Sequence, residues 1–573
     1  MLKACRALVM LALLAHGALA VAAPSALSFA QVRAAHRPSD TVFLDRHGEP
    51  VQTLRSDWQA RRGPWLPLAD FSPALRELVV QGEDQRFWQH GGVDWTGTAR
   101  SALANVRNDG TTQGASTLTM QLAALLDPRL GRPAGGRSVG QKLQQMAQAR
   151  ALESRWTKPQ ILEAYLNLVP LRGELVGAPI AAQQLFGKHA SGLDRAEAAV
   201  LVALLRAPGA PLPRVTDRAC ALLGAAPGCE RAAALLQRAW PGTARDTAAA
   251  QRGEALAPHF ARWLASAAAK TGAPPLTVPT TLDARLQRSA RQALRGQLAE
   301  LQGHQVEDGA VLVLDNASGA VLAWVGSSGP GVSDAPEVDA VLARRQPGST
   351  IKPFVYLLAF EQGLITPASL LHDSPADLDG GSGAFMPRNY DHHYRGWVSA
   401  RTALAGSLNV PTVRVADLVG VEALFDRLNA LGLGLAEGPG FHGLALALGS
   451  ADVSLLQLTN AYRALANGGQ WSPVRGAAAA STAAPRRVAD ARAVFQVSDV
   501  LADPAARATT FGLDSALVTR GFAAVKTGTS KDMRDNWCIG FTDRYTVGVW
   551  VGNASGAPMH DVSGISGAAP VMP

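Results

Sequence analysis

The stretch GAVLVLDNASGAVLAWVGS, residues 309–327, decides the architecture of the C-terminal half of this chain. Two Val- and Leu-rich runs flank Asp315-Asn316-Ala317-Ser318-Gly319, and such a turn cluster between β-forming runs predicts a hairpin. Near the end, AAVKTGTS (523–530) and YTVGVWVGN (545–553) read as a second strand pair. Between the two pairs, FVYLLAFEQG (354–363), VEALFDRLNALG (421–432) and SLLQLTNAYRALANG (454–468) read as helices. The C-terminal half is therefore expected to be a sheet with helices packed on it.

Upstream the pattern is different. From about residue 66 to 240, stretches such as QKLQQMAQARALESRW (141–156) and KPQILEAYLNLV (158–169) predict an all-α region. The polar, proline-dotted segment 241–305, with TGAPPLTVPTTLD inside it, reads as a linker. Residues 25–65 read as a lead-in, and 306–573 as the sheet-bearing domain. A chain of 573 residues exceeds a single core, which agrees with several domains.

The first residues, MLKACRALVMLALLAHGALAVAAPSA, place Lys3 and Arg6 before an apolar run and then small residues. This is an export signal over residues 1–24, either cleaved near Ala20 or kept as a membrane anchor. Export implies an oxidising compartment, where Cys220 and Cys229 can close a small loop. The four cysteines and twelve histidines include no set with zinc spacing. A net charge of +8 favours acidic partners, but the basic residues are scattered and no nucleic-acid recognition motif occurs.

Three short motifs carry chemistry in the C-terminal half. In RRQPGSTIKPF (344–354), Ser349 and Lys352 stand one helical turn apart, so the amine can activate the hydroxyl. Alone, this spacing is common, and a serine there is more often a helix cap. Two further pieces change the weight: Ser407-Leu408-Asn409, and Lys526-Thr527-Gly528-Thr529. The order S-x-x-K, S-x-N, K-T-G is that of penicillin-binding proteins and related β-lactamases. Each has a chemical reason. Lys352 can accept the proton of Ser349 if burial and a neighbouring positive charge lower its pKa, Ser407 can relay a proton to the leaving amine, and Asn409 can hold the substrate amide. Lys526 supplies positive charge, and Gly528, on the same face of a strand, leaves room for a bound peptide. The backbone N–H groups of Ser349 and Thr529 suit an oxyanion.

On these motifs, with PRNYDHHYRGWVSARTALAGSLNVP (387–411) and GNASGAPMHDVSGISGAAP (552–570), the region from about 306 resembles the transpeptidase domain of the bifunctional (class A) penicillin-binding proteins. The resemblance implies an α/β (α+β), β-lactamase-like fold with a central antiparallel sheet. It also implies acyl transfer from a D-alanyl-D-alanine stem peptide through Ser349 without a cofactor, and acylation of the same serine by β-lactams. No deacylating glutamate is evident, which argues against a β-lactamase.

The N-terminal half resembles the peptidoglycan glycosyltransferase domain that precedes such transpeptidases. QGEDQRFWQHGGVDW (81–95) fits E-D-x-x-F-x-x-H-x-G-x-D through Glu83, Asp84, Phe87, His90, Gly92 and Asp94, and GASTLTMQ (114–121), KPQILEAYLN (158–167) and LFGK (185–188) follow in the family's order. The form GASTLTMQ is similar to the 1C subgroup. That subgroup carries a further C-terminal domain, which a chain ending in GAAPVMP is expected to lack. The resemblance implies a lysozyme-like helical domain that polymerises lipid II into nascent peptidoglycan at the inner membrane, facing the periplasm, with other cell-wall synthesis proteins as possible partners.

Glu83 is the expected base, and Asp84, Phe87, His90, Ser116, Thr117 and Gln121 are candidate substrate contacts. Arg137, Lys142 and a divalent ion such as Mg are candidates to stabilise the departing pyrophosphate, with Gln145 beside them. Two departures stand out. Gln141 and Gln145 replace the arginine and glutamate of the family's R-K-x-x-E, and Ala124 stands where relatives carry a cation, so a domain that binds glycan without polymerising it is the rival expectation.

Overall fold

The structure, a computed structural model, describes residues 27–99, 116–131, 138–206, 208–224, 226–239, 255–269, 277–379, 384–479, 483–519 and 521–572. These form two compact units, one drawn from Met1–Thr41 with Arg55–Gly253 and the other from Val42–Leu54 with Glu254–Pro573.

The first unit is built from helices α1 (Pro73–Glu83), α2 (Leu118–Leu126), α3 (Val139–Glu153), α4 (Lys158–Leu168), α5 (Ala178–Phe186), α6 (Arg195–Leu205), α7 (Leu212–Leu223) and α8 (Ala226–Ala239). Its one sheet among the described residues is a two-residue parallel pair, Arg61–Arg62 with Leu175–Val176. Helix α6 is the axis: every residue from Ala196 to Leu204 is buried, and its alanines let α1, α7 and α8 approach closely. A reciprocal cap between Asp194 and Glu197 starts it. Cys220 on α7 and Cys229 on α8 form a disulfide that ties these two helices together.

The second unit holds a five-stranded antiparallel sheet of β1 (Asp308–Asp315), β2 (Val321–Val325), β3 (Ala524–Thr529), β4 (Asp535–Phe541) and β5 (Tyr545–Gly552), in the order β3-β4-β5-β1-β2. The predicted hairpin is β1–β2. Asp315 accepts from the backbone and hydroxyl of Ser318, and Gly319 turns the chain at φ +68°. The predicted second pair is not a pair, since DNWCIGF forms β4 between β3 and β5. Every residue of β4 is buried, so it lacks the period-two alternation that marks a half-exposed strand.

The stretch expected to be linker contains the 17-residue helix Ala284–Glu300, which we label α9. Its apolar stripe, Leu286, Ala290, Leu294 and Leu298, packs with the segment Met559–Met572 on one face of the sheet. Arginines and glutamines between those positions mask the stripe in the sequence. On the other face lie α10 (Lys352–Glu361), α11 (Asn409–Val419), α12 (Leu455–Ala466) and α13 (Ala491–Ala502). Helix α10 is buried from Lys352 to Phe360, so the domain is assembled around the helix that carries the lysine of S-x-x-K.

Two candidate active sites

Ser349 sits in a short 3-10 turn, Gly348–Ile351, that runs straight into α10. Gly348 there has φ +55°, and a Cβ on it would lie 2.6 Å from the Thr529 carbonyl oxygen. A Cβ on Gly528 would lie 2.4 Å from the Pro347 carbonyl oxygen. The two glycines thus let β3 and the turn bearing Ser349 touch backbone to backbone, a close approach that the expectation of room for a peptide at Gly528 did not include. Thr527 stands between Lys526 and Gly528 on β3, and with Lys526, Arg507, Phe511 and Leu517 it lines a small cavity. Thr529 accepts from the backbone of Gly564 through its hydroxyl.

Lys352, Ser407, Asn409 and Lys526 converge. The Lys352 Nζ donates to the Ser407 carbonyl oxygen at 2.5 Å and to Asn409 Oδ1 at 2.6 Å, and lies 3.3 Å from Ser407 Oγ. Lys526 Nζ donates to Ser407 Oγ and to the Thr527 carbonyl oxygen, both at 2.8 Å. Ser407 reaches between the two amines from a left-handed backbone at φ +59°, a conformation that costs a non-glycine residue about 1 kcal/mol or more. Both lysines are buried, at 0% and 2% exposure, and no carboxylate among the described residues bonds either one. Burial first, and then the nearby charge of Lys526, hold the Lys352 amine well below the ordinary lysine range. Burial brings Lys526 down to about 7.

Asn389 and Asp373, which the sequence reading did not single out, lie directly behind this cluster. Asn389 Oδ1 accepts from the Asn409 backbone at 3.0 Å, while its Nδ2 donates to both Asp373 carboxylate oxygens at 2.9 Å. Asn389 belongs to the PRNYD segment, but the segment alone does not distinguish a cap from a ligand.

In the first unit, Glu83 is the last residue of α1, exposed by 7% at its side chain. Its Oε2 accepts from Gln121 Nε2 at 3.0 Å and its Oε1 from Arg206 Nε at 3.2 Å. Tyr165 donates to Gln121 Oε1 at 3.0 Å, which turns the amide nitrogen of Gln121 toward the carboxylate. Burial and the Glu83 charge push the Tyr165 hydroxyl well above its usual range, so it remains a donor. Arg206 and Tyr165 were not anticipated as site residues. Tyr165 lies within a quoted motif, whereas Arg206 lies in none.

Lys142 Nζ donates to Ser116 Oγ at 2.5 Å and lies 3.4 Å from Gln145 Oε1. Gln145 is fully buried, and its Nε2 donates to the Met120 carbonyl oxygen at 2.6 Å. An amide fits there where a carboxylate would oppose a carbonyl. Gln141 forms a reciprocal cap with Ser138 at the start of α3.

Three candidates are buried and engaged within the scaffold. Asp84 accepts from His90 Nε2 and from the backbone of Leu118, thereby fixing the start of α2 and the ring of His90. Phe87 is buried in the core under the Lys158 ammonium. Thr117 is the buried N-cap of α2, and its hydroxyl also donates to the Gly92 carbonyl oxygen. Arg137 lies outside the described residues. Among the described residues no group of three acidic, histidine or cysteine side chains converges to hold a metal ion. At Ser116 and Gln145 an ammonium stands instead, so the residues do not fit the expected divalent ion.

A cluster of Lys352, Ser407, Asn409 and Lys526 beside the turn bearing Ser349 on one unit, and a mostly buried carboxylate held by Gln121 and Arg206 on the other, are the features of a class of two-domain cell-wall enzymes. Residues 47–226 match the transglycosylase family, and residues 309–567 match the penicillin binding protein transpeptidase domain. The chain belongs to the class A penicillin-binding proteins and is a bifunctional peptidoglycan synthase with glycosyltransferase and transpeptidase domains. It is 34% identical to penicillin-binding protein 1C of Escherichia coli (strain K12) over 93% of this chain and 67% of that protein. It is 28% identical to penicillin-binding protein 1B of Haemophilus influenzae over 88% and 67%. It thus spans about two thirds of the length of these relatives. The crystal structure of penicillin-binding protein 1A from Haemophilus influenzae has the same fold, with a TM-score of 0.61 at 17% identity over 94% of this chain and 91% of that one.

Proposed function

We propose that Ser349 is the nucleophile of the transpeptidase and Lys352 its base, and the observation that carries this is the hydrogen count at the Lys352 amine. A neutral amine has two hydrogens and one lone pair. Two acceptors, the Ser407 carbonyl and Asn409 Oδ1, take the hydrogens. The Ser407 hydroxyl is the longer third contact, at 3.3 Å, and the lone pair serves the Ser349 hydroxyl, one helical turn away. As Ser349 Oγ bonds to the carbonyl carbon of the penultimate D-alanine, its proton passes to Lys352. The peptide C–N bond then breaks, and the departing amine takes a proton through Ser407, which Lys526 bridges. Backbone N–H groups of Ser349 and Thr529 hold the oxyanion. An amine from a neighbouring strand, or water, releases the acyl group. Purified protein incubated with a labelled penicillin is expected to carry the adduct on the peptide containing Ser349, read by mass spectrometry. An adduct on any other residue overturns the assignment.

For the glycosyltransferase, Glu83 is the base for the attacking sugar hydroxyl of lipid II. Gln121 and Arg206 hold its two oxygens, and Lys142 with Ser116 faces the departing pyrophosphate. We place the protein at the inner membrane facing the periplasm, supported by the N-terminal signal and the Cys220–Cys229 disulfide. No helix among the described residues is long and apolar enough to cross a membrane. One observation favours a second reading, a first domain that grips lipid-linked glycan without polymerising it: Gln145 is committed to the Met120 carbonyl and offers no charge. Polymer made from lipid II by the purified protein decides between them, since a binding-only domain yields none.

A further inference from the structure

Asn409 is the first residue of α11, yet that helix has no cap of its own. The residue before it is Leu408, whose side chain cannot accept a hydrogen bond. The missing acceptor comes from a segment twenty residues upstream. Asn389 Oδ1 accepts from the backbone of Asn409 at 3.0 Å and lies 3.4 Å from the backbone nitrogen of Val410. The same segment fixes the Asn409 side chain, because Asn409 Nδ2 donates to the Arg388 carbonyl oxygen at 2.7 Å. With its nitrogen so engaged, the amide must present Oδ1 to Lys352.

Asn389 is itself over-determined. It is 3% exposed, its Nδ2 donates to Asp373 at 2.9 Å to each oxygen and to the His393 carbonyl at 2.8 Å. Asp373, 1% exposed, takes a further bond from the backbone of Arg395 at 2.9 Å. A buried carboxylate is retained at a cost unless its oxygens are bonded, and here all its bonds serve to orient the Asn389 amide and the Arg388–Arg395 segment.

We propose that Asn389, oriented by Asp373, is a positioning residue of the transpeptidase: it caps α11 from outside and sets Asn409 so that its oxygen takes one hydrogen of Lys352. This rests on the reading of Lys352 as base and Ser349 as nucleophile. Asn389 touches no reacting atom. Its effect reaches Ser349 through Asn409 and Lys352.

The test is the second-order rate of acylation of the full chain by a fluorescent penicillin, with the melting temperature measured on each variant. Asn389→Ala and the near-isosteric Asn389→Asp are expected to slow acylation roughly 10- to 100-fold, the scale of a small misplacement of a catalytic group. In Asn389→Asp two carboxylates face each other. Adding Asp373→Asn restores a donor opposite an acceptor and is expected to recover at least about fivefold of the loss. Recovery is incomplete because an aspartate has no hydrogen for the His393 carbonyl. A purely structural role predicts a lower melting temperature with acylation at 25 °C within twofold of the unaltered protein, and that result overturns the proposal. So does a double variant that is folded but no faster than Asn389→Asp. Ser349→Ala, run in parallel, must lose all labelling. Persistent labelling there refutes the underlying reading instead.

Discussion

Ser407 shows how much of this chemistry is decided by single side chains. Held at positive φ, its hydroxyl and carbonyl bind both lysines. Lys526 gives a pH test with a definite sign. Its folded value of about 7 lies below the ordinary 10.5, so between these values the unfolded chain holds a proton that the native one lacks, and stability rises with pH across that window. Below pH 7 both states are protonated and the native state bears the whole cost of the buried charge, of order 3–5 kcal/mol. Lys526→Met is therefore expected to raise the melting temperature of the second unit by about 5 °C or more at pH 6, and by progressively less toward pH 10.5. The same variant removes a positive charge beside Lys352, so the acid limb of its penicillin acylation profile moves to higher pH. A limb that stays in place, or a stability gain independent of pH, contradicts the assignment.

At the scale of elements, β3 and the turn bearing Ser349 make the tightest fit. In Gly528→Ala the new methyl meets the Pro347 carbonyl oxygen at 2.4 Å and Thr350 Cγ2 at 2.8 Å, so strand and turn must separate. Acylation is expected to fall by at least about tenfold, with a loss of about 1–3 kcal/mol in denaturant titration. An unaltered rate would show that this contact does not set the site. The disulfide between α7 and α8 closes a nine-residue separation, for which chain entropy gives about 2–3 kcal/mol. Reduction is expected to lower the melting of the first unit while leaving penicillin labelling intact, because Ser349 belongs to the other unit. Elements also show where sequence reading stops. The β1–β2 hairpin, α10 and α12 carry their own period and turn residues. Strand β4, buried on both faces, and α9, whose stripe is broken by Arg and Gln, are defined by what packs on them.

For the whole molecule, the S-x-x-K, S-x-N and K-T-G motifs were legible because each lies within a short run, whereas their supports come from distant parts of the chain. Asn389 caps a helix from another segment, Arg206 reaches Glu83 across more than a hundred residues, and Asp84, Phe87 and Thr117 carry motif identities yet serve the scaffold. Motif membership marks a neighbourhood, and only three-dimensional contacts separate ligand from brace. The two units then allow a reciprocal test of the bifunctional assignment. Glu83→Gln keeps the size of the side chain, though its amide nitrogen faces a donor on Gln121 or Arg206, and it cannot take a proton, so polymer from lipid II should fall by at least about 100-fold while penicillin labelling stays within twofold. Ser349→Ala should abolish labelling and crosslinks while glycan chains still form. Gel analysis of glycan chains and a labelled-penicillin gel on the same preparations read both outcomes. Loss of both activities from either single change would show that the domains do not act as separate catalysts, and polymer from Glu83→Gln at the unaltered rate would remove Glu83 as the base.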